Sequence, residues 1–267
     1  MNRLLILLIP LLFCACDSVF DIHPYDAHVD GVRGLNASGM EAITAACAGK
    51  DTLRFAFFAD THVWYSDTRD IITDINLRSD SLDFAIHGGD LTDTGTTLEY
   101  RRAREQLLRL RLPWVALIGN HDFLGTGDQV FAAMFGAKDF AFLAGNVKFV
   151  CLNTNATEYD YLAAVPNFDF MEAEMQGGGE LFERTVIVMH ARPGSDQFNN
   201  KVDKAFGRYI LDFPNLLFCL SAHDHQLQAD DLYGNGLMFY GTDCALHRAY
   251  LLFTITPTGY TYEVVRI

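Results

Sequence analysis

Histidine, aspartate and asparagine side chains follow a series of short apolar runs, at the points where those runs end. Imidazole nitrogens, carboxylates and amide oxygens are suitable ligands for divalent cations such as Mn, Fe, Zn or Co. Three of these side chains, at Asp60, Asp90 and Asn120, are separated by equal steps in the numbering. The candidate metal ligands are Asp60, His62, Asp90, Asn120, His190, His223 and His225. Their ordered placement indicates one composite metal site.

The apolar runs that precede these residues have the composition of buried β-strands. They are rich in Val, Ile and Phe, and they alternate with segments of helical period such as 66–79 and 97–111. This alternation is typical of βαβ units in an α/β fold. In open α/β sheets ligands bind beyond the carboxyl ends of the strands, so the polar residues are expected to meet in one crevice. The stretch 226–267 turns on glycines and predicts antiparallel strands.

The polar motifs follow the order that characterises a known enzyme superfamily. They are Asp-x-His at 60–62, Gly-Asp at 89–90, Gly-Asn-His-Asp at 119–122, His190 and Ala-His-Asp-His at 222–225. This series resembles the calcineurin-like metallophosphoesterases from about Leu53 to the C-terminus, with Ala222 where the family usually has Gly. The resemblance implies an α/β fold, a four-layered αββα sandwich of two mixed β-sheets. It also implies a dinuclear metal site at the carboxyl ends of the strands.

The same resemblance implies a role for each polar residue. The ligands of one metal ion would be Asp60, His62 and His225. The ligands of the other would be Asn120, His190 and His223, with Asp90 bridging the two ions. His121 is not a ligand in the family and would contact the substrate and protonate the leaving oxygen. Asp122 would hold the His121 imidazole in the required tautomer and orientation.

The expected chemistry is metal-dependent hydrolysis of a phosphomonoester or a phosphodiester. Two cations about 3.5 to 4 Å apart can hold a phosphoryl group and lower the pKa of a bridging water. The resulting metal-bridging hydroxide would attack phosphorus in line, while the two divalent ions offset charge on the equatorial oxygens. Two alternatives stay open, a nuclease and a surface-anchored, metal-containing binding protein without turnover.

The net charge and the cysteines indicate which binding partners and which kinds of metal site this sequence does not favour. The formal net charge is −14, which argues against stable nucleic-acid binding, because that binding depends on Lys and Arg displacing counterions from phosphates. Bound divalent cations would give an acidic chain another way to hold a phosphoester substrate. The sequence contains no Cys-x-x-Cys pair that would indicate a thiolate metal site. Cys151 and Cys219 lie inside apolar runs and are expected to fill the core.

Three other residues could contact a substrate, each with a structural alternative. Trp64 and Tyr65 follow the first motif and either wall a substrate pocket or pack in the core. Arg192 lies two residues after His190 and either contacts a phosphate or forms a surface ion pair.

Residues 1–15 have the features of a signal peptide for export. Arg3 precedes an apolar run that is shorter than the roughly 20 residues needed to span a bilayer. Cys16 follows a small residue and resembles the lipidated cysteine of a bacterial lipobox; cleavage without lipidation is the alternative. We expect an N-terminal arm at 16–52 and the metallophosphoesterase domain at 53–267. The protein would be exported and lipid-anchored in the bacterial envelope, in the periplasm or at the cell surface, touching the membrane only through Cys16.

Overall fold

The apolar runs form the strands of two β-sheets that pack face to face. The computed structural model describes residues 25–158, 164–176 and 182–267, so the signal peptide and Cys16 lie outside the described residues. Helices cover the outer face of each sheet, and three clusters of buried apolar residues separate the four layers. This arrangement confirms the αββα sandwich that the sequence resemblance implied.

The first sheet has five strands in the order β11-β10-β1-β2-β3. Its strands are β1 (Leu53–Phe58), β2 (Phe84–His87), β3 (Trp114–Ala116), β10 (Ala249–Thr256) and β11 (Gly259–Arg266). Strands β1, β2 and β3 are parallel, whereas β10 is antiparallel to both β1 and β11. The sheet is therefore mixed, and the carboxyl ends of its three parallel strands lie at one edge.

The second sheet has six strands in the order β4-β5-β6-β7-β9-β8. Its strands are β4 (Phe140–Ala144), β5 (Val147–Leu152), β6 (Arg184–Met189), β7 (Leu216–Ser221), β8 (Gln228–Asp230) and β9 (Phe239–Gly241). The four central strands are parallel and the two edge strands are antiparallel. The prediction for 226–267 is thus right for β8 with β9 and for β10 with β11, but wrong for β9, which pairs in parallel with β7.

Six α-helices flank the sheets in the described ranges. Against the first sheet lie α2 (Tyr65–Leu77), α3 (Thr97–Leu107) and α4 (Gly127–Met134). Against the second lie α5 (Phe168–Met175) and α6 (Asp203–Tyr209). The remaining helix is α1 (Leu35–Cys47). Both helices predicted from periodicity are present, and α3 starts with a capping box between Thr96 and Glu99. In the parts of the chain that the structure describes, no helix is long and apolar enough to cross a membrane.

Helix α1 lies inside the segment 16–52, which the sequence predicts as an N-terminal arm. It contacts both β3 and β4, the edge strands of the two sheets. The Asn36 side chain donates a hydrogen bond to the carbonyl of Ala116 and accepts one from its N–H. It therefore satisfies the two backbone groups of β3 that a neighbouring strand would otherwise pair with. A Cβ at Gly39 would lie 2.0 Å from the Trp114 carbonyl oxygen, so only glycine permits this close approach.

The core between the sheets combines aliphatic side chains with a group of stacked aromatic rings. The Phe55 and Phe84 rings stack at 4.9 Å, and Phe149 meets the Phe55 ring edge-on at 5.3 Å. Cys151 is buried in this core and Cys219 in the core under the second sheet, and neither forms a disulfide. The expectation that both thiols fill the core is confirmed. Two sheets held by a continuous core provide a rigid base for the loops at the strand ends.

Candidate metal centre

The candidate ligands lie where parallel strands of both sheets end. Asp60 follows β1, Asp90 follows β2 and Asn120 follows β3, all in the first sheet. From the second sheet, His190 directly follows β6, and His223 and His225 follow β7. The structure brings together all seven residues that the sequence analysis named as metal ligands.

Five of these seven residues have a left-handed backbone. Their φ values lie between 42° and 67°, and the residues are Asp60, His62, Asp90, His223 and His225. Such conformations cost about 1–3 kcal/mol each for residues with a side chain and persist only where the surroundings enforce them. Here the enforcing contacts include hydrogen bonds from the N–H of Asp60 to the Gly89 carbonyl and from the N–H of His62 to the Asp90 carbonyl. The backbone is thus bent sharply after β1, β2 and β7.

The first group of ligand atoms comes from Asp60, His62, Asp90 and His225, and these atoms all lie within 4.8 Å of one another. His62 Nε2 is 3.6 Å from Asp90 Oδ2 and 3.4 Å from His225 Nε2. His225 Nε2 is 3.5 Å from Asp60 Oδ1. Two carboxylates and two imidazoles around one point can bind a divalent cation.

The second group comes from Asp90, His190 and His223, again with all ligand atoms within 4.8 Å. His190 Nε2 is 3.4 Å from Asp90 Oδ2. The side-chain oxygen of Asn120 adds a fourth possible ligand, 3.1 Å from His190 Nε2 and 2.9 Å from His223 Nδ1. Asp90 therefore belongs to both groups.

Contacts behind the ligands fix the orientation of the imidazole rings. His190 Nδ1 lies 3.0 Å from the Gly88 carbonyl, and His62 Nδ1 lies 3.1 Å from the Thr92 carbonyl. Because a carbonyl oxygen can only accept, each Nδ1 carries the proton and each Nε2 is left for a cation. His223 is held the other way round, with Nε2 2.7 Å from Asp196 and Nδ1 facing Asn120. Asp196 could not be predicted from the sequence, because it is an exposed residue on an irregular loop and follows no spacing pattern.

One buried oxygen provides a test of whether this centre fits a cation. Asp60 Oδ1 is buried and accepts no hydrogen bond of normal geometry from the described part of the chain, since His225 Nε2 is 3.5 Å away. A buried carboxylate oxygen without a donor is costly, and a cation would satisfy it. Two glycines leave room for the ligands. A Cβ at Gly119 would lie 2.1 Å from Asp90 Oδ1, and one at Gly89 would lie 2.6 Å from His190 Nδ1.

The carboxylates also set the charge state of the crevice. Burial raises the pKa of the Asp90 carboxyl, but its contacts with His190 and His62 outweigh this and hold that pKa well below its usual range. Burial lowers the pKa of His190, but the charge of Asp90 and the contact with it raise that pKa to about 9. Contacts with Asp60 and Cys244 raise the pKa of His225 to about 10. These ionised carboxylates favour positive charge, which cations can supply by displacing protons from the rings.

His121 is placed in the crevice by contacts with its neighbours. Its backbone N–H donates to Asp90 Oδ1 at 2.9 Å, and its ring packs edge-on against the ring of His62 at 4.7 Å. Its Nδ1 donates to the backbone carbonyl of Asp93 at 2.8 Å. This leaves Nε2 as the ring atom available to a ligand.

Asp122 does not orient His121, so the prediction of that role is wrong. Asp122 is fully buried and accepts hydrogen bonds from the backbone N–H groups of Leu91, Thr92 and Gly119 and from the Thr92 hydroxyl. These four hydrogen bonds point the carboxylate away from His121 and hold it below the loops that follow β2 and β3. It joins the loop after β2 to the loop after β3, and the Asp93 carbonyl takes the position expected of Asp122.

The three residues with open interpretations are now placed. Trp64 lines the crevice, with its ring 4.9 Å from that of His62 and 5.9 Å from that of His225. Tyr65 instead packs beneath the guanidinium of Arg102, and its hydroxyl is buried. Arg192 forms an ion pair with Asp224, with Nε 2.6 Å from Oδ2.

Comparisons with known proteins agree with this geometry. A protein-family model described as calcineurin-like phosphoesterase matches residues 53–227. A 3',5'-cyclic-nucleotide phosphodiesterase of Nostoc sp. is 31% identical over 153 residues, which cover 54% of this chain and 56% of that relative. The chain therefore matches little more than half the length of this curated relative.

Two solved structures share the fold. One is GAP50, the anchor in the inner membrane complex of Plasmodium, with a TM-score of 0.63 and 10% identity over 81% of this chain and 85% of the other. The second is the purple acid phosphatase PPD1 of yellow lupin, with a TM-score of 0.58 and 12% identity over 82% of this chain and 52% of the other. At such identities the likeness is one of fold.

Proposed function

The chain belongs to the calcineurin-like phosphoesterase family, and from this premise we propose that it hydrolyses phosphoesters with two divalent cations held by the seven clustered side chains. The observation that carries this proposal is the position of Asp90, whose carboxylate belongs to two adjacent groups of ligand atoms. One carboxylate shared by two such groups is the arrangement that a dinuclear site requires. Mn, Fe, Zn and Co all suit these oxygen and nitrogen donors.

The two ions would be held by different faces of the crevice. Asp60, His62 and His225 would bind one, and Asn120, His190 and His223 the other, with Asp90 between them. Bound there, the cations would offset charge on the phosphoryl oxygens and activate a water for attack on phosphorus.

His121 would act as the general acid in this reaction. Its side chain is 39% exposed, so it can reach a bound substrate. With Nδ1 held by the Asp93 carbonyl, Nε2 is the atom that would donate a proton to the leaving oxygen. Trp64 would form a wall for the part of the substrate beyond the phosphoryl group.

Phosphodiesters are the proposed substrate class. The support is the Nostoc relative, whose name describes a cyclic-nucleotide phosphodiesterase. We also propose export and anchoring through a lipidated Cys16, which rests on the sequence of residues 1–15 alone.

Hydrolysis by the Mn-loaded protein tests the function directly. Bis-p-nitrophenyl phosphate, p-nitrophenyl phosphate and 3',5'-cyclic AMP serve as substrates, and a linear DNA tests the nuclease alternative. We expect turnover of the diesters, loss of turnover in Asp90→Asn, and retention in Asp128→Asn, which changes a carboxylate on α4 outside the crevice. If no substrate is hydrolysed while metal analysis finds two ions per chain, the protein is a binding protein and the proposal fails.

A further inference from the structure

A second cluster of metal-binding side chains lies in the turn that follows β9. It consists of Asp243, Cys244 and His247, and its three ligand atoms lie within 4.8 Å of one another. His247 Nδ1 is 2.8 Å from Asp243 Oδ1 and 3.7 Å from Cys244 Sγ. Distances of this size between ligand atoms suit a cation bound at about 2.0–2.3 Å from each.

We propose that Asp243, Cys244 and His247 bind a further cation of borderline character, such as Zn²⁺, through one oxygen, one sulfur and one nitrogen. These donors differ from the seven of the main centre, which offer only oxygen and nitrogen. A thiolate ligand favours Zn²⁺ over harder ions. Three protein ligands leave one position of a tetrahedral site open to water or another ligand.

The backbone holds the cluster in a fixed shape. A single 3-10 turn, Ala245–His247, brings the side chain of His247 back over Asp243 and Cys244. The next residue, Arg248, has a positive φ of 49°. Its side chain is anchored to α2 through Asp67 at 2.8 Å and Asp70 at 3.2 Å. The three ligand atoms are therefore brought together before any cation binds, which lowers the cost of ordering them.

The three side chains differ in exposure, from a buried cysteine to a largely exposed histidine, and this difference leaves a route for a cation to enter. The Cys244 residue is only 2% exposed, whereas the side chain of Asp243 is 14% exposed and that of His247 is 56% exposed. A cation could thus approach past His247 and meet the thiol at the bottom of the turn. An ion pair between Asp243 and His247 alone would contribute only about 0–1 kcal/mol at such exposure and would need no cysteine.

The turn adjoins the main centre and shares none of its ligands. The N–H of Ala245 donates to the Asp60 carbonyl at 3.1 Å, and Cys244 forms a β-bridge with Ala59. A cation in this turn would therefore lie beside the ion bound by Asp60, His62 and His225.

Cobalt spectroscopy of the full chain tests the proposal. Thiolate ligation of Co²⁺ produces a charge-transfer band in the near ultraviolet, which imidazole and carboxylate ligands do not. We expect this band in the wild type, its loss in Cys244→Ala and its retention in the matched variant Cys47→Ala, which removes another buried thiol. His247→Ala, at a largely exposed side chain, should fold normally and bind this Co²⁺ at least roughly 10-fold more weakly.

Metal counting and a variant of the main centre complete the test. After dialysis against Zn²⁺, Cys244→Ala and His247→Ala should each hold one ion fewer per chain than the wild type. His190→Ala should lose hydrolysis and keep the cobalt band, so failure of the proposed function and failure of this site are distinguishable. A wild type without the band, a band that survives Cys244→Ala, or equal zinc content in all three proteins would overturn the proposal.

Discussion

At the scale of single residues, the crevice combines strained backbone with firmly held side chains. Five candidate ligands have positive φ, and the rings of His62, His190 and His223 are each oriented by a partner behind them. The strain and the fixed rings together define where a cation can bind. Of the residues beside these candidate ligands, His121 reaches into the crevice, whereas Asp122 supports the loops beneath it.

His121→Ala tests the general acid. The metal content should stay unchanged because His121 is in neither of the two groups that share Asp90, and its Nδ1 is held by the Asp93 carbonyl. Turnover should fall by about 10²–10⁴-fold. The loss should be greater for cyclic AMP than for p-nitrophenyl esters, whose leaving group needs less help from a proton donor. Equal rates for variant and wild type on cyclic AMP would exclude His121 from proton transfer.

Asp122→Asn tests the supporting role of the buried carboxylate. The new amide NH₂ would face two of the four donors that Asp122 now satisfies, and an unsatisfied buried donor costs about 1–3 kcal/mol. We expect a clear drop in melting temperature for Asp122→Asn and almost none for Asp128→Asn. A normal melting temperature combined with lost turnover would contradict the supporting role and would indicate instead that Asp122 orients His121.

The candidate ligands could be named from the sequence because each lies close after an apolar run, and this local pattern is visible without knowledge of the fold. The contacts of Asp93 with His121 and of Asp196 with His223 could not be predicted from the sequence in this way. Asp93 acts through its backbone carbonyl, which every residue has, and Asp196 reaches His223 from an irregular loop. The misassigned role of Asp122 has a related cause, since adjacency to His121 does not reveal that four donors point elsewhere.

At the scale of elements, α1 makes the segment before β1 an integral part of the sandwich. It covers the edge strands β3 and β4, whose unpaired backbone groups would otherwise invite association with other chains. The buried residues of this helix are Leu35, Asn36, Ile43 and Cys47, which lie on one face because residues seven and eleven positions apart are near neighbours around a helix. Only three of them are apolar and the fourth is an asparagine, so the apolar signal in the sequence is weak.

Asn36→Ala tests the attachment of α1 to β3. The substitution removes two hydrogen bonds to Ala116 and should cost roughly 2 kcal/mol, or about 4–8 °C in melting temperature. Ser38→Ala, at an exposed position of the same helix, has a similar effect on helix propensity and serves as the control. Equal melting temperatures for the two variants would mean that the Asn36 bonds do not hold the helix.

At the scale of the whole molecule, the main centre joins the two sheets. Asp60, Asp90 and Asn120 come from the first sheet, whereas His190 and His223 come from the second. Cations bound between them would connect the two halves of the sandwich in addition to the aromatic core. Metal binding should therefore stabilise the complete fold.

Thermal unfolding with and without metal tests this coupling. An ion present at 100 times its dissociation constant adds about 2.7 kcal/mol of stability, so Mn²⁺ should raise the melting temperature by several degrees and EDTA should reverse the rise. Asp90→Asn should respond much less because it weakens both ligand groups. An equal response in Asp90→Asn would mean that the stabilising ion binds elsewhere.

The spread of the ligands along the chain also determines when the ions can be taken up. His225 lies 163 positions after His62, with which it would share a cation under the proposed function. A growing polypeptide would therefore lack a complete set of donors until nearly all of it has been made and both sheets have packed together. The ions it binds would then be those available when the last strands fold.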